Sequence, residues 1–337
     1  MSAIISFGEA LIDLYLESTS EKCINPSSQI LQVGGSPANV AIAAARLNAP
    51  TTFIGKLGSD HFGFTIKKLL ETEKIITQHI AFTDQSKTAV AFVMFNPLDG
   101  STAFHVWRDP GADQLITEQD VPEFAFQNAR LFHFGSLSLT NDNAIKATTK
   151  AIGFAKKYGL VISMDPNLRP DCFSGKSSIV EKVLTVIPDC TVLKLNEQEA
   201  KLLSGSETVE TSASLLQKQG PEIVIVTAGE KGCYFQNTTT NGWIAGFKIE
   251  SKDTLGAGDA FMGGLLAHLL RNGFSKDTSL SNEELHHSLV YANTVAALSV
   301  SKVGTTTSFP YEHEVDSYLE GITKSSKVLK ERVKQWQ

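Results

Sequence analysis

Residues 253–270, DTLGAGDAFMGGLLAHLL, place small residues and one acid at the start of a predicted helix. Gly256, Ala257 and Gly258 allow a ligand to approach the backbone, and the first N–H groups of a helix have no acceptor within it. Phosphate is the natural occupant of such a turn. Asp259 stands in the same turn, where the helix dipole alone also favours an acid. A carboxylate beside bound phosphate can take the proton of an attacking alcohol, so the stretch is compatible with phosphoryl transfer as well as with simple capping.

A second stretch of small residues occurs in VGGSPANVAIAAARL, at 33–47. Gly34 and Gly35 permit a tight turn, and Pro37 suits the first position of a helix. Asn39 is polar within an otherwise apolar run, which favours a contact with a ligand. A turn followed by a buried helix would explain the same residues.

Several further polar residues share one predicted location, at or just after the carboxyl-terminal end of a strand. They are Asp13, Asp165, Asn167, Arg169, Asn196, Glu199 and Thr227. Ligands of doubly wound sheets bind beyond these strand ends, although each residue could equally cap a helix or a turn. Together they indicate one binding edge of the sheet.

Other well-known classes of site are excluded. Phe261 stands where G-x-G-x-x-G requires its third glycine, and no G-x-x-x-x-G-K-[ST] occurs, so neither a dinucleotide fold nor a P-loop is supported. The His residues have no metal-ligand spacing, and the Cys residues form no C-x-x-C pair. A net charge of -6 without a Lys/Arg run argues against nucleic acid and anionic membranes as partners. Because neither a signal peptide nor an apolar span of ~20 residues is found, we expect a cytoplasmic protein that binds small molecules.

The elements that must position these residues alternate between strands and helices. Apolar and β-branched runs predict strands at 3–7, 51–55, 130–135, 160–165, 191–195 and 223–227. Helical patterns lie at 37–48, 61–73, 142–158, 176–187, 196–204, 257–272, 282–301 and 311–322. Such alternation is typical of an α/β fold in which a mainly parallel sheet is flanked by helices on both faces.

Two segments break this alternation. Residues 88–95 and 101–108 are predicted strands joined by the Asp-Gly turn of NPLDG, and 29–35 is another strand-like run. These antiparallel strands would form a small sheet that projects from the core and acts as a lid. The exposed edge of such a sheet gives a physical reason for a homodimer formed through the lid.

From about residue 7 to residue 310, the chain resembles the ribokinase-like (PfkB) carbohydrate kinase family. The motifs that carry the resemblance are GGSPANVAIAAARLNAPTTFIGKLGSDHFG (34–63) and DTLGAGDAF (253–261), with FGEALIDL, KTAVAFV, RDPGAD, FHFGSLSL and DPNLR. Within the family they are most similar to the motifs of fructokinases. The resemblance implies a ribokinase-like, Rossmann-like core at 1–13, 36–87 and 109–337, and a β-sheet lid at 14–35 and 88–108. It also implies ATP as phosphoryl donor, Mg²⁺ as cofactor and a sugar primary hydroxyl as acceptor, with D-fructose giving fructose 6-phosphate.

The resemblance further implies roles for individual residues. Asp259 matches the general base, and Gly256, Ala257 and Gly258 match the anion hole for the transferred phosphoryl group. The sugar-binding positions are matched by Asp13, Gly34, Gly35, Asn39, Arg108, Asn167 and Arg169. The nucleotide positions are matched by Thr227, Gly229, Gly232 and Asn293, and by Asn196 and Glu199 of the N-x-x-E element linked to Mg²⁺ and phosphates. Asp253 and Ser308 lie in segments that hold K⁺ in many members.

Alternatives within and outside the family remain open at this point. Ser36 stands where ribokinases carry a lysine, which argues against ribose as the substrate. DPNLR and the lid arginine also occur in 2-keto-3-deoxygluconate kinases, so the alternative is that activity, or phosphorylation of another sugar or a nucleoside. A non-catalytic sugar sensor would be expected to lose the acid or the glycines of GAGD, which are intact, and an NAD-dependent oxidoreductase would need the missing glycine fingerprint.

Overall fold

The computed structural model describes residues 3–20, 23–95, 102–169, 176–278 and 280–322. The strands of this part of the chain form a nine-stranded sheet and a separate four-stranded sheet. The larger sheet contains β1 (Ile4–Phe7), β4 (Thr51–Gly58), β5 (Ile80–Thr83), β8 (Leu131–Gly135), β9 (Val161–Asp165), β10 (Val192–Asn196), β11 (Ile223–Thr227), β12 (Gly232–Asn237) and β13 (Asn241–Ala245). The smaller sheet contains β2 (Leu11–Ser20), β3 (Cys23–Gly34), β6 (Val90–Phe95) and β7 (Thr102–Trp107).

Each predicted helix is present, with boundaries within two residues of those predicted. The helices are α1 (Ser36–Arg46), α2 (His61–Thr72), α3 (Asp142–Lys157), α4 (Lys176–Val186), α5 (Glu197–Ser204), α6 (Val209–Gln217), α7 (Ala257–Arg271), α8 (Asn282–Val300) and α9 (312–322). Side chains of Asp60, Asn141 and Ser281 accept hydrogen bonds from first-turn N–H groups and so determine where α2, α3 and α8 begin. Among the described residues, no helix combines the length and apolar character needed to cross a membrane.

The larger sheet is mainly parallel, as predicted. Its order is β13-β12-β11-β10-β9-β8-β1-β4-β5, and every neighbouring pair from β11 to β5 is parallel. One face packs against α1, α2, α7 and α8, and the other packs against α3 to α6. Because both faces are covered, the central strands are short and almost wholly apolar. The carboxyl-terminal ends of these parallel strands meet at one edge, which is where the predicted site residues lie.

Three strands of the larger sheet and one helix were not among the sequence predictions. β5 has only four residues, which is too few for a clear pattern. β12 and β13 form an antiparallel hairpin at the edge of the sheet, where β13 has exposed residues and therefore lacks a continuous apolar run. The fourth element is α6, a helix of nine residues that packs against β11 and β12.

The smaller sheet includes one strand that the sequence analysis did not predict. β2 pairs antiparallel with β3 and parallel with β6, while β6 and β7 form an antiparallel pair. The sheet is therefore mixed, because β2 inserts between the two predicted segments and runs in the direction of β6. Asp13 lies within β2 rather than in a loop after the first strand, so residues 11–13 belong to this sheet and not to the core. The predicted turn of NPLDG lies outside the described residues.

Candidate active site

Asp259 lies in the first turn of α7 and is bound by two side chains of α1. Its Oδ1 accepts a hydrogen bond from Ser36 Oγ at 2.6 Å, and its Oδ2 accepts one from Asn39 Nδ2 at 2.8 Å. Hydrogen bonds to both oxygens fix the orientation of this buried carboxylate. The partnership between Ser36 and Asp259 was missed from the sequence, where Ser36 was noted only as a departure from ribokinases.

The environment of Asp259 changes its affinity for a proton. The pKa of Asp259 is raised to about 6, mainly by burial and also by the negative charge of Asp165. Hydrogen bonds from Ser36 and Asn39 lower the pKa because they stabilise the ionised form, and the ammonium group of Lys194 acts in the same direction. A carboxylate with this pKa is ionised at neutral pH but is a stronger base than an ordinary aspartate, which suits it to accept a proton.

The start of α7 packs closely against a loop formed by residues 303–309 (the 303–309 loop). Gly256, which precedes the helix, has a φ of 74°, a conformation that favours glycine. A Cβ atom at Gly256 would lie 2.5 Å from Thr305 Cγ2 and 3.1 Å from the ring of Phe309. The amides of Gly258 and Asp259 lie in the first turn, where N–H groups have no acceptor within the helix. An anion beside these amides would be stabilised by them and by the helix dipole.

A cavity of about 310 Å³ opens beside the first turn of α7. Four predicted nucleotide residues line it together with two residues of the predicted anion hole: Thr227, Gly229, Gly232, Asn293, Ala257 and Gly258. Its other walls are largely apolar and include Phe247, Ile249, Phe261, Ala296, Ala297 and Val300. Apolar walls with a few polar groups are typical of small-molecule sites of this size. The structure thus places the predicted phosphate-binding turn and the predicted nucleotide-binding residues around one cavity.

Asp13 lies close enough to Asp259 for the two carboxylates to influence each other. The pKa of Asp13 is raised to about 7, mainly by burial and also by the charge of Asp259, while the guanidinium of Arg169 acts to lower it. The structure therefore brings together Asp13, Asn39, Arg169 and Asp259, four residues from distant parts of the chain. Two neighbouring acids with raised pKa values are typical of functional sites.

The glycines before α1 allow Asp13 and α1 to approach each other. A Cβ atom at Gly34 would overlap the carboxylate of Asp13. Gly35 has a φ of 96°, and a Cβ atom there would lie 2.6 Å from the carbonyl oxygen of Glu9. The side chain of Glu9 holds the same turn, since its Oε1 accepts a hydrogen bond from Ser36 N at 3.1 Å. These contacts explain why both positions require glycine.

Arg108, a predicted sugar-binding residue, is already engaged by other protein groups. Its Nε donates a hydrogen bond to Asp113 Oδ2 at 2.7 Å, and its Nη2 donates to the carbonyl oxygen of Leu137 at 3.1 Å. The side chains of Arg108 and Asp113 are each only 4% exposed, which makes this a buried ion pair. The sequence analysis did not identify Asp113, and the positive charge of Arg108 is compensated before any ligand binds.

Asn196 and Glu199 form a reciprocal capping box at the start of α5. Asn196 Oδ1 accepts a hydrogen bond from Glu199 N, and Glu199 Oε2 accepts one from Asn196 N, both at 2.9 Å. Glu199 Oε1 accepts a third bond from Leu168 N at 2.7 Å and so joins α5 to the segment that carries Asn167 and Arg169. Neither residue lines the cavity beside α7.

Asp253 and Ser308 both lie at the 303–309 loop. Asp253 Oδ2 accepts a hydrogen bond from Gly304 N at 2.9 Å, and its Oδ1 accepts one from Leu255 N at 3.0 Å. Ser308 is fully buried, and its Oγ donates to the carbonyl oxygen of Thr305 at 2.7 Å. The predicted K⁺ residues are therefore close to each other and to the start of α7.

The 303–309 loop is also bound by the smaller sheet. Gln32 Oε1, on β3, accepts a hydrogen bond from Thr305 N at 2.9 Å, and Thr307 Oγ1 donates to the same oxygen at 3.2 Å. Tyr15, on β2, forms a hydrogen bond with Thr305 Oγ1. Thr305 packs on Gly256, so the smaller sheet contacts the loop that packs against the predicted anion hole. The same sheet also carries Asp13 on the sugar side of the site.

A buried ion pair between Lys194 and Asp165 lies at the carboxyl-terminal ends of β9 and β10. Lys194 Nζ is 2.6 Å from Asp165 Oδ2, and the two side chains are 5% and 2% exposed. The sequence analysis did not select Lys194. A lysine inside the apolar run TVLKL was the available signal, because lysine is seldom buried unless it is paired.

Two sequence comparisons cover nearly the whole chain. The model of the family described as pfkB family carbohydrate kinase matches residues 1–312. The chain is 34% identical over 323 residues to probable fructokinase-4 of Arabidopsis thaliana, and this match covers 95% of the chain and 97% of that protein.

Two solved structures are similar to this one. Fructokinase from Xylella fastidiosa with bound ATP has a TM-score of 0.87 at 29% identity, and the match covers 95% of this chain and 99% of that chain. A double mutant of fructokinase from Vibrio cholerae O395, in a form with fructose, ADP and potassium ion bound, has a TM-score of 0.83 at 28% identity, covering 95% and 98%. The likeness therefore includes both sheets and the elements that carry the site.

Proposed function

Since the chain belongs to the pfkB family of carbohydrate kinases and is an ATP-dependent sugar kinase, we propose that its acceptor is D-fructose. The reaction transfers the γ-phosphoryl group of ATP to the primary hydroxyl of the sugar and yields fructose 6-phosphate and ADP. The choice of fructose is supported by the fructokinases among the relatives and by the similar structure that holds fructose and ADP.

The position of Asp259 is the observation that carries the proposed mechanism. This carboxylate is hydrogen-bonded to Asn39 and lies near Asp13, while its own backbone belongs to the helix turn beside the cavity. Asp259 accepts the proton of the sugar hydroxyl as the new bond to phosphorus forms. The amides of Gly258 and Asp259 stabilise the negative charge on the phosphoryl oxygens. The sugar and ATP thus approach one carboxylate from two sides.

Mg²⁺ and K⁺ are part of the proposal. Mg²⁺ bound to ATP needs few protein ligands because phosphate oxygens and water supply most of its coordination. This agrees with the described residues, among which no cluster of three or more His, Cys, Asp or Glu side chains could hold a metal. Asn196 and Glu199 would hold the ion through water, since each Glu199 oxygen retains a second lone pair. When bound, Mg²⁺ would neutralise part of the phosphate charge. Asp253 and Ser308 would hold K⁺ beside the start of α7.

The charges around the sugar side favour a neutral sugar over a sugar acid. A carboxylate substrate such as 2-keto-3-deoxygluconate needs a cation that is available to it. Arg108 is paired with Asp113 in a buried site, and Arg169 interacts with Asp13. Because both arginines are already matched by acids, a carboxylate would have to displace an existing partner, whereas sugar hydroxyls would not.

We predict that D-fructose is the preferred acceptor in an assay that measures ATP consumption with sugars, sugar acids and nucleosides. The expected kcat/KM for fructose exceeds that for 2-keto-3-deoxygluconate by at least about 10²-fold, since unmatched buried charges discriminate strongly. A control without acceptor measures background ATP hydrolysis. Turnover of the sugar acid with no turnover of fructose would overturn the proposed substrate but not the assignment to the kinase family.

We predict that kcat/KM falls as the pH decreases through about 6, because Asp259 must be ionised to accept the proton. Ser36→Ala removes a hydrogen bond that lowers this pKa, so the acidic limb should move upward by about one pH unit. Asp13 titrates in the same range, but Ser36 contacts only Asp259 of the two acids. Measurements of kcat/KM for the wild type and Ser36→Ala across acidic and neutral pH test this prediction. Ser212→Ala, at a buried serine of α6, is the control and should leave the acidic limb unchanged. An unchanged limb in Ser36→Ala would contradict the role of Asp259 as base.

We also propose that the smaller sheet acts as a lid and forms a homodimer interface. Ile30, Leu31 and Trp107 of this sheet are 50%, 47% and 73% exposed, an unusual degree for large apolar side chains. Trp107→Lys should therefore convert a dimer into a monomer in sedimentation experiments. Trp243→Lys, on β13 of the larger sheet, is the matched control and should leave the mass unchanged. A wild-type protein that sediments as a monomer would exclude the interface.

A further inference from the structure

Lys194 lies directly against the first turn of α7. A Cβ atom at Gly258 would be only 2.7 Å from Lys194 Nζ, so the ammonium group faces the backbone of the predicted anion hole. The backbone N–H groups of this turn carry partial positive charge. An ammonium group and a helix amino terminus of the same sign therefore lie close together, and an anion that binds beside them would be stabilised by both.

The charge on Lys194 is maintained by neighbouring acids. Burial disfavours the ammonium form, but the charges of Asp165 and Glu199 outweigh this and raise the pKa of Lys194. Asp165 contributes only one oxygen to the pair, because its Oδ1 is buried without a hydrogen-bond partner among the described residues. Lys194 is thus a fixed cation at neutral pH, positioned by Asp165 at the boundary between the ion pair and the anion hole.

We propose that Lys194 is a further catalytic residue whose ammonium group contacts the γ-phosphoryl group of ATP, with Asp165 as its positioning residue. This inference rests on the proposed kinase reaction. As the γ-phosphoryl group is transferred from ATP to the sugar, its oxygens carry negative charge that Lys194 stabilises together with the amides of α7. The bond from phosphorus to the leaving oxygen of ADP breaks, the bond to the sugar oxygen forms, and Asp259 takes the sugar proton. Lys194 remains protonated throughout.

A purely structural ion pair predicts a different nucleotide preference. A structural pair stabilises the ends of β9 and β10, and its loss would affect all ligands of the site equally. A residue that contacts the γ-phosphoryl group distinguishes nucleotides with three phosphates from those with two. Affinities for a non-hydrolysable ATP analogue and for ADP, measured without sugar, therefore separate the two roles. Because no sugar is present, this result is independent of whether fructose is the acceptor.

The test compares Lys194→Met with the double variant Asp165→Asn/Lys194→Met, which removes both charges and leaves no unpaired buried ion. Both should lose affinity for the ATP analogue by about 10-fold or more and affinity for ADP by much less, and kcat should fall by about 10²-fold. Lys194→Arg should recover part of this preference. The matched control is Lys56→Met. Lys56 lies in β4 and pairs with Asp120, and this variant should bind both nucleotides normally. Equal losses for the two nucleotides in the folded double variant would overturn the proposal.

Discussion

Asp259→Asn is expected to lower kcat by about 10²- to 10⁴-fold, the contribution typical of a positioned general base. Asparagine has the shape of aspartate but cannot accept the proton of the sugar hydroxyl. We expect the fold to tolerate the change. Ser36 can still donate to the new amide oxygen, and Asn39 can turn its own amide, since Asn39 Oδ1 is buried without a hydrogen-bond partner among the described residues. Fructose affinity should therefore remain within about 10-fold of wild type while turnover is lost.

Calorimetric binding of fructose and steady-state turnover test this expectation together. Asp142→Asn is the matched control, because Asp142 is also an acid in the first turn of a helix, α3, and lies outside the cavity lining. The control should retain both binding and turnover. Near-normal turnover of Asp259→Asn would remove this residue from the mechanism, whereas loss of binding in a folded variant would assign it to the sugar site instead.

Arg46→Met is expected to lower the free energy of unfolding by about 3–5 kcal/mol, because it leaves Glu73 as an unpaired and largely buried charge. Arg46 Nη2 lies 2.6 Å from Glu73 Oε1, and each side chain is 10% exposed. The guanidinium also donates to the carbonyl oxygens of Thr306 and Phe309 at 2.5 and 2.9 Å. Since these residues belong to the loop that packs on Gly256, kcat should fall as well.

Urea unfolding measures the predicted loss, and two further variants identify its cause. Arg46→Met/Glu73→Gln removes the unpaired charge and should recover part of the stability. Arg271→Met breaks a pair with Glu312 whose side chains are 39% and 27% exposed, and it should cost only about 0–1 kcal/mol. A loss for Arg46→Met no larger than that for Arg271→Met would contradict the importance of burial in this pair.

Most strands and helices around the larger sheet could be predicted because each of them has a recognisable local sequence pattern. A strand such as IVIVT at 223–227 is apolar up to its last residue, and caps such as Asp60 are next to the helices that they begin. β2 was not predicted: it pairs with the next strand, β3, but it also pairs with β6, which lies far along the chain. Local patterns indicate the existence of an element more reliably than its partner.

The candidate site shows the same distinction between residues and their partners. Asp259, Asn39 and the cavity residues Thr227 and Asn293 could be selected from motifs that are contiguous in the sequence. Asp165 was also selected, but its pairing with Lys194 could not be predicted from the sequence, because the two residues are 29 positions apart. The hydrogen bond between Ser36 and Asp259 spans 223 positions and follows only from the packing of α1 against α7.

The link between Gln32 and Thr305 has a consequence for how the protein acquires activity during its synthesis. These residues are 273 positions apart, and Thr305 packs on Gly256 at the start of the helix that carries the base. A ribosome-bound chain that ends before the 303–309 loop lacks the support of that helix, however complete its sheet. Contacts between such distant positions also form slowly. The protein should therefore become a competent kinase in a single late step rather than gradually as it emerges.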